Sequence, residues 1–135
     1  MKRRTAREKA LQALFQIDMS QTEPNIAIEN VLEGENGSPF LNDLVLGTIN
    51  HLPEIDKLIS DNLEKWSISR LGNIDRAILR ISTYEMMFQV DIPHNVSINE
   101  AIELAKSFGD DESSKFINGV LSKIKTTLES KQGEV

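Results

Sequence analysis

The sequence predicts an all-α fold of about seven helices in two small packed helical bundles. Three observations carry that reading. Apolar residues recur at three- and four-residue spacing along most of the chain, the period of a helix with one buried face. Helix punctuation separates the stripes, as at Ser38-Pro39, Pro53 and Gly109. No stretch alternates in the manner of a half-buried strand, and no internal repeat or low-complexity tract interrupts the pattern. At 135 residues the chain is long enough for one domain with a real core. A first bundle is expected over about residues 1–65 and a second over about 66–130.

The first helix is expected over about residues 5–19, with Ala6, Ala10, Leu11, Leu14 and Ile17 along one face. Phe15 stands at helical spacing from Leu11, which suits the core or the edge of a binding face. Residues 20–24 read as a turn. A short helix follows on Ala27, Ile28, Val31 and Leu32, and residues 34–37 form a polar loop. Ser38 then caps a helix whose first position is Pro39, where the missing N–H costs nothing. Leu41, Leu44, Val45, Thr48 and Leu52 make its stripe. Pro53 breaks or kinks that helix and opens another, with Ile55, Leu58, Ile59 and Leu63 inward.

Residues 66–72 connect the halves, with Trp66 as a packing anchor. From Asn73, the residues Ile74, Ala77, Ile78, Ile81 and Tyr84 mark a long helix. Asp75, Arg76 and Arg80 lie on its more polar side. Residues 91–95 are expected as a loop. Ser97 and Glu100 spell a capping box, with Val96 and Ala101 as its hydrophobic staple. Ile98, Ala101, Ile102, Ala105 and Phe108 then form one stripe. Gly109 is expected to stop the helix in a left-handed conformation. Asp110, Asp111 and Glu112 suit the start of the next helix, where the macrodipole favours acid. That helix turns Phe116, Ile117, Val120, Leu121, Ile124 and Leu128 inward, and the tail after Glu129 is expected to fray. Gly119 costs roughly 1 kcal/mol relative to alanine mid-helix, so a neighbouring helix or a ligand is expected to approach closely there.

Charge is unevenly spread. The net charge of −6, taken alone, argues against nucleic acid. Yet Lys2, Arg3, Arg4, Arg7 and Lys9 crowd the first nine residues against a single acid, Glu8. A basic arm on an acidic body points to a polyanion partner. Arg3 and Arg7 stand one turn apart and Arg4 beside them, so an arginine-rich helix entry can fork onto phosphates. Lys115, Phe116 and Asn118 offer a cation, a ring and an amide within one turn, the chemistry for stacking a base and holding its phosphate.

Other chemistry is missing from the sequence. With no cysteine, disulfides, thiolate metal sites and cysteine nucleophiles are excluded, and a cytoplasmic setting is expected. No apolar run is long enough to span a membrane, and none follows the basic terminus as in a signal peptide. His51 and His94 have no ligand at metal-binding spacing, and the acids at 110–112 lack the pattern of a calcium loop. No glycine-rich phosphate loop, serine elbow or other catalytic constellation is present. Neither a cofactor nor an enzymatic activity is expected.

Several runs together resemble the bacterial NusB family of transcription antitermination factors. They are Arg3-Arg4-x-Ala6-Arg7-Glu8-x-Ala10-Leu11-Gln12-Ala13-Leu14-Phe15, Ile74-Asp75-Arg76-Ala77-Ile78-Leu79-Arg80, and Tyr84-Glu85. Further along come Ile92-Pro93, Ser97-Ile98-Asn99-Glu100-Ala101, Lys106-Ser107-Phe108-Gly109 and Ser114-Lys115-Phe116-Ile117-Asn118-Gly119-Val120-Leu121. The resemblance runs from the first arginines to about Ile124 and is weakest over residues 21–69. It implies two helical bundles that bind single-stranded boxA RNA of nascent, chiefly ribosomal, transcripts jointly with NusE, a small-subunit ribosomal protein. It further implies that the complex joins elongating RNA polymerase with NusA and NusG and suppresses termination. The family's arginine-rich terminus falls on Arg3, Arg4 and Arg7, with Lys2 beside them, and its RNA-facing helix start on Lys115 and Phe116. Asp75 belongs to the acidic surface expected to receive the basic protein partner. Thr5 interrupts the basic run and phenylalanine stands at 15 where tyrosine is common, changes that soften contacts without removing them.

Two other readings compete. A similar domain opens some ribosomal RNA cytosine methyltransferases, but those need a cofactor domain and catalytic cysteines that this chain lacks. A bare protein-interaction bundle without RNA is favoured if the arm proves disordered and salt-insensitive.

Overall fold

The first helix, α1 (Arg3–Ser20), starts two residues ahead of the expected boundary, so the arm's arginines lie within its opening turns. It buries Ala6, Ala10, Leu11, Ala13 and Leu14. The alanines on that face let its neighbours approach closely. It ends where Gln21 turns left-handed (φ 57) and sends its N–H back to the Ile17 carbonyl. The computed structural model describes residues 1–132; Gly133, Glu134 and Val135 lie outside the described residues, as does that part of the expected frayed tail.

The other elements follow in order: α2 (Pro24–Leu32), α3 (Pro39–Asn50), α4 (Leu52–Asp61), a 3-10 turn at Ile68–Arg70, α5 (Asn73–Phe88), α6 (His94–Phe108) and α7 (Asp111–Gln132). The two proline starts behave as expected. Ser38 Oγ accepts from the Leu41 N–H at 3.1 Å, and Pro39 follows it into the helix. Pro53 sits at the start of α4, and the chain breaks at His51. The α2 cap was not foreseen: the Glu23 carboxylate accepts from the Ile26 N–H at 3.2 Å.

Helix α5 is the centre of the molecule and packs against α1, α3, α4, α6 and α7. It is therefore buried around most of its girth, polar residues included: Ser82, Thr83 and Glu85 are inside with Ile78, Leu79, Ile81 and Tyr84. Truncating a fully buried isoleucine or leucine here costs roughly 2–5 kcal/mol. Helices α1, α2 and α3 pack on one another, while α5, α6 and α7 form a second group. Helix α4 lies mainly against α5, and one continuous core joins the halves. Among the described residues no helix is long and apolar enough to cross a membrane.

Four local expectations around the last hairpin are corrected. Helix α6 opens at His94 after Pro93, so Ser97 lies one turn inside it and is fully buried. Ser97 Oγ donates to the Glu85 carboxylate at 3.4 Å, and Glu100 is bound to Arg4; no capping box or staple forms. Gly109 ends α6 with φ −122 and ψ −130, outside the left-handed region. Its lack of a side chain is still required, because a Cβ would come 2.9 Å from the Ala105 carbonyl oxygen. Phe108 closes its stripe at the surface rather than in the core. At Gly119 no neighbouring helix approaches: a Cβ would meet nothing within 4 Å. The acids at the start of α7 serve as expected, with Asp110 Oδ1 accepting from the Ser113 N–H at 2.8 Å.

Candidate nucleic-acid interface

The basic arm is held on the body rather than loose. Arg3 sits with its guanidinium carbon 5.0 Å from the centroid of the Phe40 ring and its Nη2 3.5 Å from Asp91. Arg4 makes a two-pronged contact with Glu100, Nε to Oε2 at 3.1 Å and Nη2 to Oε1 at 3.0 Å. The hydrogen bond and charge of Glu100, with Glu103 and Glu8 nearby, hold the Arg4 guanidinium even more firmly protonated than usual. Lys2 is exposed.

Arg7 is not on that surface. It is only 4% exposed and reaches inward to Glu85, with Nη2 2.8 Å from Oε1. Its guanidinium carbon also lies 5.3 Å from the Phe40 ring that carries Arg3. The one-turn spacing that put Arg3 and Arg7 on one side was right; that side faces Phe40 and α5. Arg7 therefore supports the arm from beneath and presents no free fork to a phosphate.

A second cationic place forms where α7 passes the connector after α4. Phe116, Trp66, Lys65, Lys115, Gly119 and Lys123 border an open cleft of about 280 Å³. Trp66, expected as a packing anchor, is 56% exposed. It stands outside the hydrophobic core, and more than half of its surface stays in solvent. Phe116 divides its ring between the core and the cleft. Lys123 pairs with Glu64 across the rim, and that pairing holds the Glu64 carboxyl below the usual range. Open space over Gly119 lets a flat ligand lie against the α7 backbone. Two rings with lysines at the rim can stack a base and neutralise its phosphate.

Asp75 lies close by. It shares a smaller cleft of about 210 Å³ with Trp66, Phe116 and Arg70. Burial raises the Asp75 carboxyl above the usual range, Asp110 adds to the rise, and a hydrogen bond with Ser113 opposes it. A half-buried carboxylate beside a second acid is poised to gain from an incoming cation. Around the corner, Ile74 joins Phe15, Phe108, Gln12, Gln16 and Asn30 in a groove of about 310 Å³. Both phenyl rings are about one-third exposed, at 36% and 37%. Phe15 thus stands at the edge of a surface, the second of the two places its spacing allowed.

Sequence reasoning missed Trp66, Lys123 and Phe40. One signal was available for Lys123: Lys115, Gly119 and Lys123 are spaced four apart and share a helix face. Nothing in the sequence pairs Phe40 with the arm.

The NusB family model matches residues 4–126 of the chain. The chain belongs to the NusB family. It is 61% identical over 130 residues to the transcription antitermination protein NusB of Bacillus velezensis, covering 96% of this chain and 100% of that one. The NusB of Bacillus subtilis is 58% identical over 129 residues, covering 96% and 98%. Solved NusB structures share the all-α fold. That of T. maritima superposes with a TM-score of 0.86 at 39% identity, covering 93% of this chain and 92% of that one. A chain in the crystal structure of antitermination factors NusB and NusE in complex with double-stranded RNA superposes with a TM-score of 0.84. That match is 30% identical and covers 93% of this chain and 96% of the other.

Proposed function

We propose that this NusB-family chain is a transcription antitermination factor that binds boxA RNA of nascent ribosomal transcripts together with NusE. The observation that carries the RNA reading is the cleft that Trp66 and Phe116 border, with Lys115 at its rim and open space over Gly119. Lys2, Arg3 and Arg4 supply the phosphate contacts, and Lys115 with Phe116 the second contact. Arg7 takes the role of a buried anchor for the arm. Single-stranded RNA suits this arrangement, because splayed bases can stack on rings that a closed duplex cannot reach.

Asp75 and the Phe15–Phe108 groove beside it form the surface for NusE. A basic ribosomal protein would relieve the raised Asp75 carboxyl and cover the two partly exposed rings. The assembled complex then joins RNA polymerase with NusA and NusG in the cytoplasm and suppresses termination. No enzymatic step is assigned to the chain.

The test is a gel shift across a salt series with boxA RNA as a single strand, a scrambled single strand and a boxA duplex, each with and without NusE. Tighter binding of the single-stranded boxA, strengthened by NusE and weakened by salt, is the expected result. Equal binding of all three RNAs would replace boxA recognition with general polyanion binding.

A further inference from the structure

Glu100 is free of the capping role its sequence position suggested, and its carboxylate faces the arm instead. It meets Arg4 through both prongs, at 3.0 and 3.1 Å. That is the same parallel fork an arginine offers to a phosphate. The two partners differ in freedom. The Glu100 side chain is 19% exposed on the rigid helix α6, while that of Arg4 is 62% exposed. The carboxylate is therefore a fixed seat and the arginine the mobile half. Asp91 holds Arg3 less closely, by one contact at 3.5 Å between two well-exposed side chains.

We propose that Glu100 is an internal stand-in for phosphate that masks Arg4, so that RNA must displace it to use the arm. This rests on the RNA reading of the arm given above. The exchange is between two charge-assisted pairs, so Arg4 adds less to affinity than an unpaired arginine would. Glu100 thereby sets the threshold for arm-mediated binding. Glu103 and Glu8 also act on the Arg4 guanidinium, and their charge adds to the pull that returns it to the masked state.

The experiment is fluorescence anisotropy of a labelled single-stranded boxA RNA against wild type, Glu100→Gln, Glu103→Gln, Arg4→Ala and the Arg4→Ala/Glu100→Gln double variant. Glutamine keeps the helix propensity of α6, and matching thermal melts establish that the folds are equivalent. Glu100→Gln should bind roughly two- to fivefold tighter than wild type, the scale of freeing one exposed ion pair. The gain should vanish in the Arg4→Ala background. Glu103→Gln, which removes the same charge without touching the fork, should gain clearly less. Unchanged or weaker binding by Glu100→Gln overturns the mask while leaving the RNA reading intact. An equal gain with Glu103→Gln, or one that survives Arg4→Ala, also overturns it, in favour of a general field effect. A wild-type chain that binds no RNA overturns both readings.

Discussion

Arg7 on α1 and Glu85 on α5 form a buried ion pair, Nη2 to Oε1 at 2.8 Å and Nε to Oε2 at 3.0 Å. Ser97 adds a hydroxyl to the same carboxylate from α6. Three helices thus meet at one charge. Removing either partner leaves the other buried and uncompensated, so Arg7→Ala or Glu85→Ala should cost about 3–5 kcal/mol. Urea denaturation measures it. A paired replacement, Arg7→Met with Glu85→Met, should recover most of the loss, since an apolar pair of similar volume carries no desolvation penalty. If Arg7→Ala unfolds at the wild-type midpoint, the pair is not holding α1 to α5.

The arm should separate from this anchor in its effects. Replacing Lys2, Arg3 and Arg4 together by alanine should leave the melting curve nearly unchanged, because all three are exposed. RNA affinity should fall, and the slope of log K against log salt should flatten by about 2, near 0.7 per lost phosphate contact with single strands. Titrations at four or five salt concentrations read the slope directly. An unchanged slope removes the arm from the interface.

Trp66 is the chain's one tryptophan and stands at the cleft, so its own emission reports occupancy. Adding boxA RNA should quench or shift it. Trp66→Ala should cost roughly 1–3 kcal/mol of RNA binding with little change in stability. Phe116→Ala should show both losses, since its ring contributes to the core as well as to the cleft. Emission that ignores RNA would place the stacked bases elsewhere.

Asp75 ties stability to partner binding. Its carboxyl is raised in the folded protein, so the native state holds that proton more tightly than the unfolded chain. Stability therefore falls as pH rises through and above the usual carboxylate range. Asp75→Asn should melt at or above wild type at pH 7. The difference should close at low pH, where the group is protonated in both states. The same variant, and Asp75→Lys more strongly, should slow association with NusE. A variant that melts lower at pH 7 would mean the carboxylate is a net stabiliser of the fold.

Gly47 carries a packing requirement. A Cβ there would overlap the Tyr84 hydroxyl and the ring carbon that bears it; that hydroxyl donates to Asp43 at 2.9–3.0 Å. Burial and the Asp43 carboxylate push the Tyr84 hydroxyl up to about 12. Gly47→Ala should therefore cost about 1–3 kcal/mol by overpacking. Thermal unfolding checks it, and a neutral result would show that α3 shifts away from α5 easily.

The sequence by itself determined the helices, because their evidence is local. The 3.6-residue stripe of Ile78, Ile81 and Tyr84, or the Ser38-Pro39 start, needs no knowledge of distant residues. It also located the arm, since a cluster of charges is visible as composition. Which charges stay on the surface was decided only by the tertiary structure. Arg3 and Arg7 have the same chemistry at one-turn spacing, yet one meets solvent and the other Glu85, 78 positions away. Glu100 reads locally as a cap and becomes the partner of Arg4, 96 positions away. Trp66 and Phe116 share a cleft only because α7 folds back past the connector. A side chain's environment is set by which elements pack around it, and a local pattern specifies that an element has a buried face without naming what covers it.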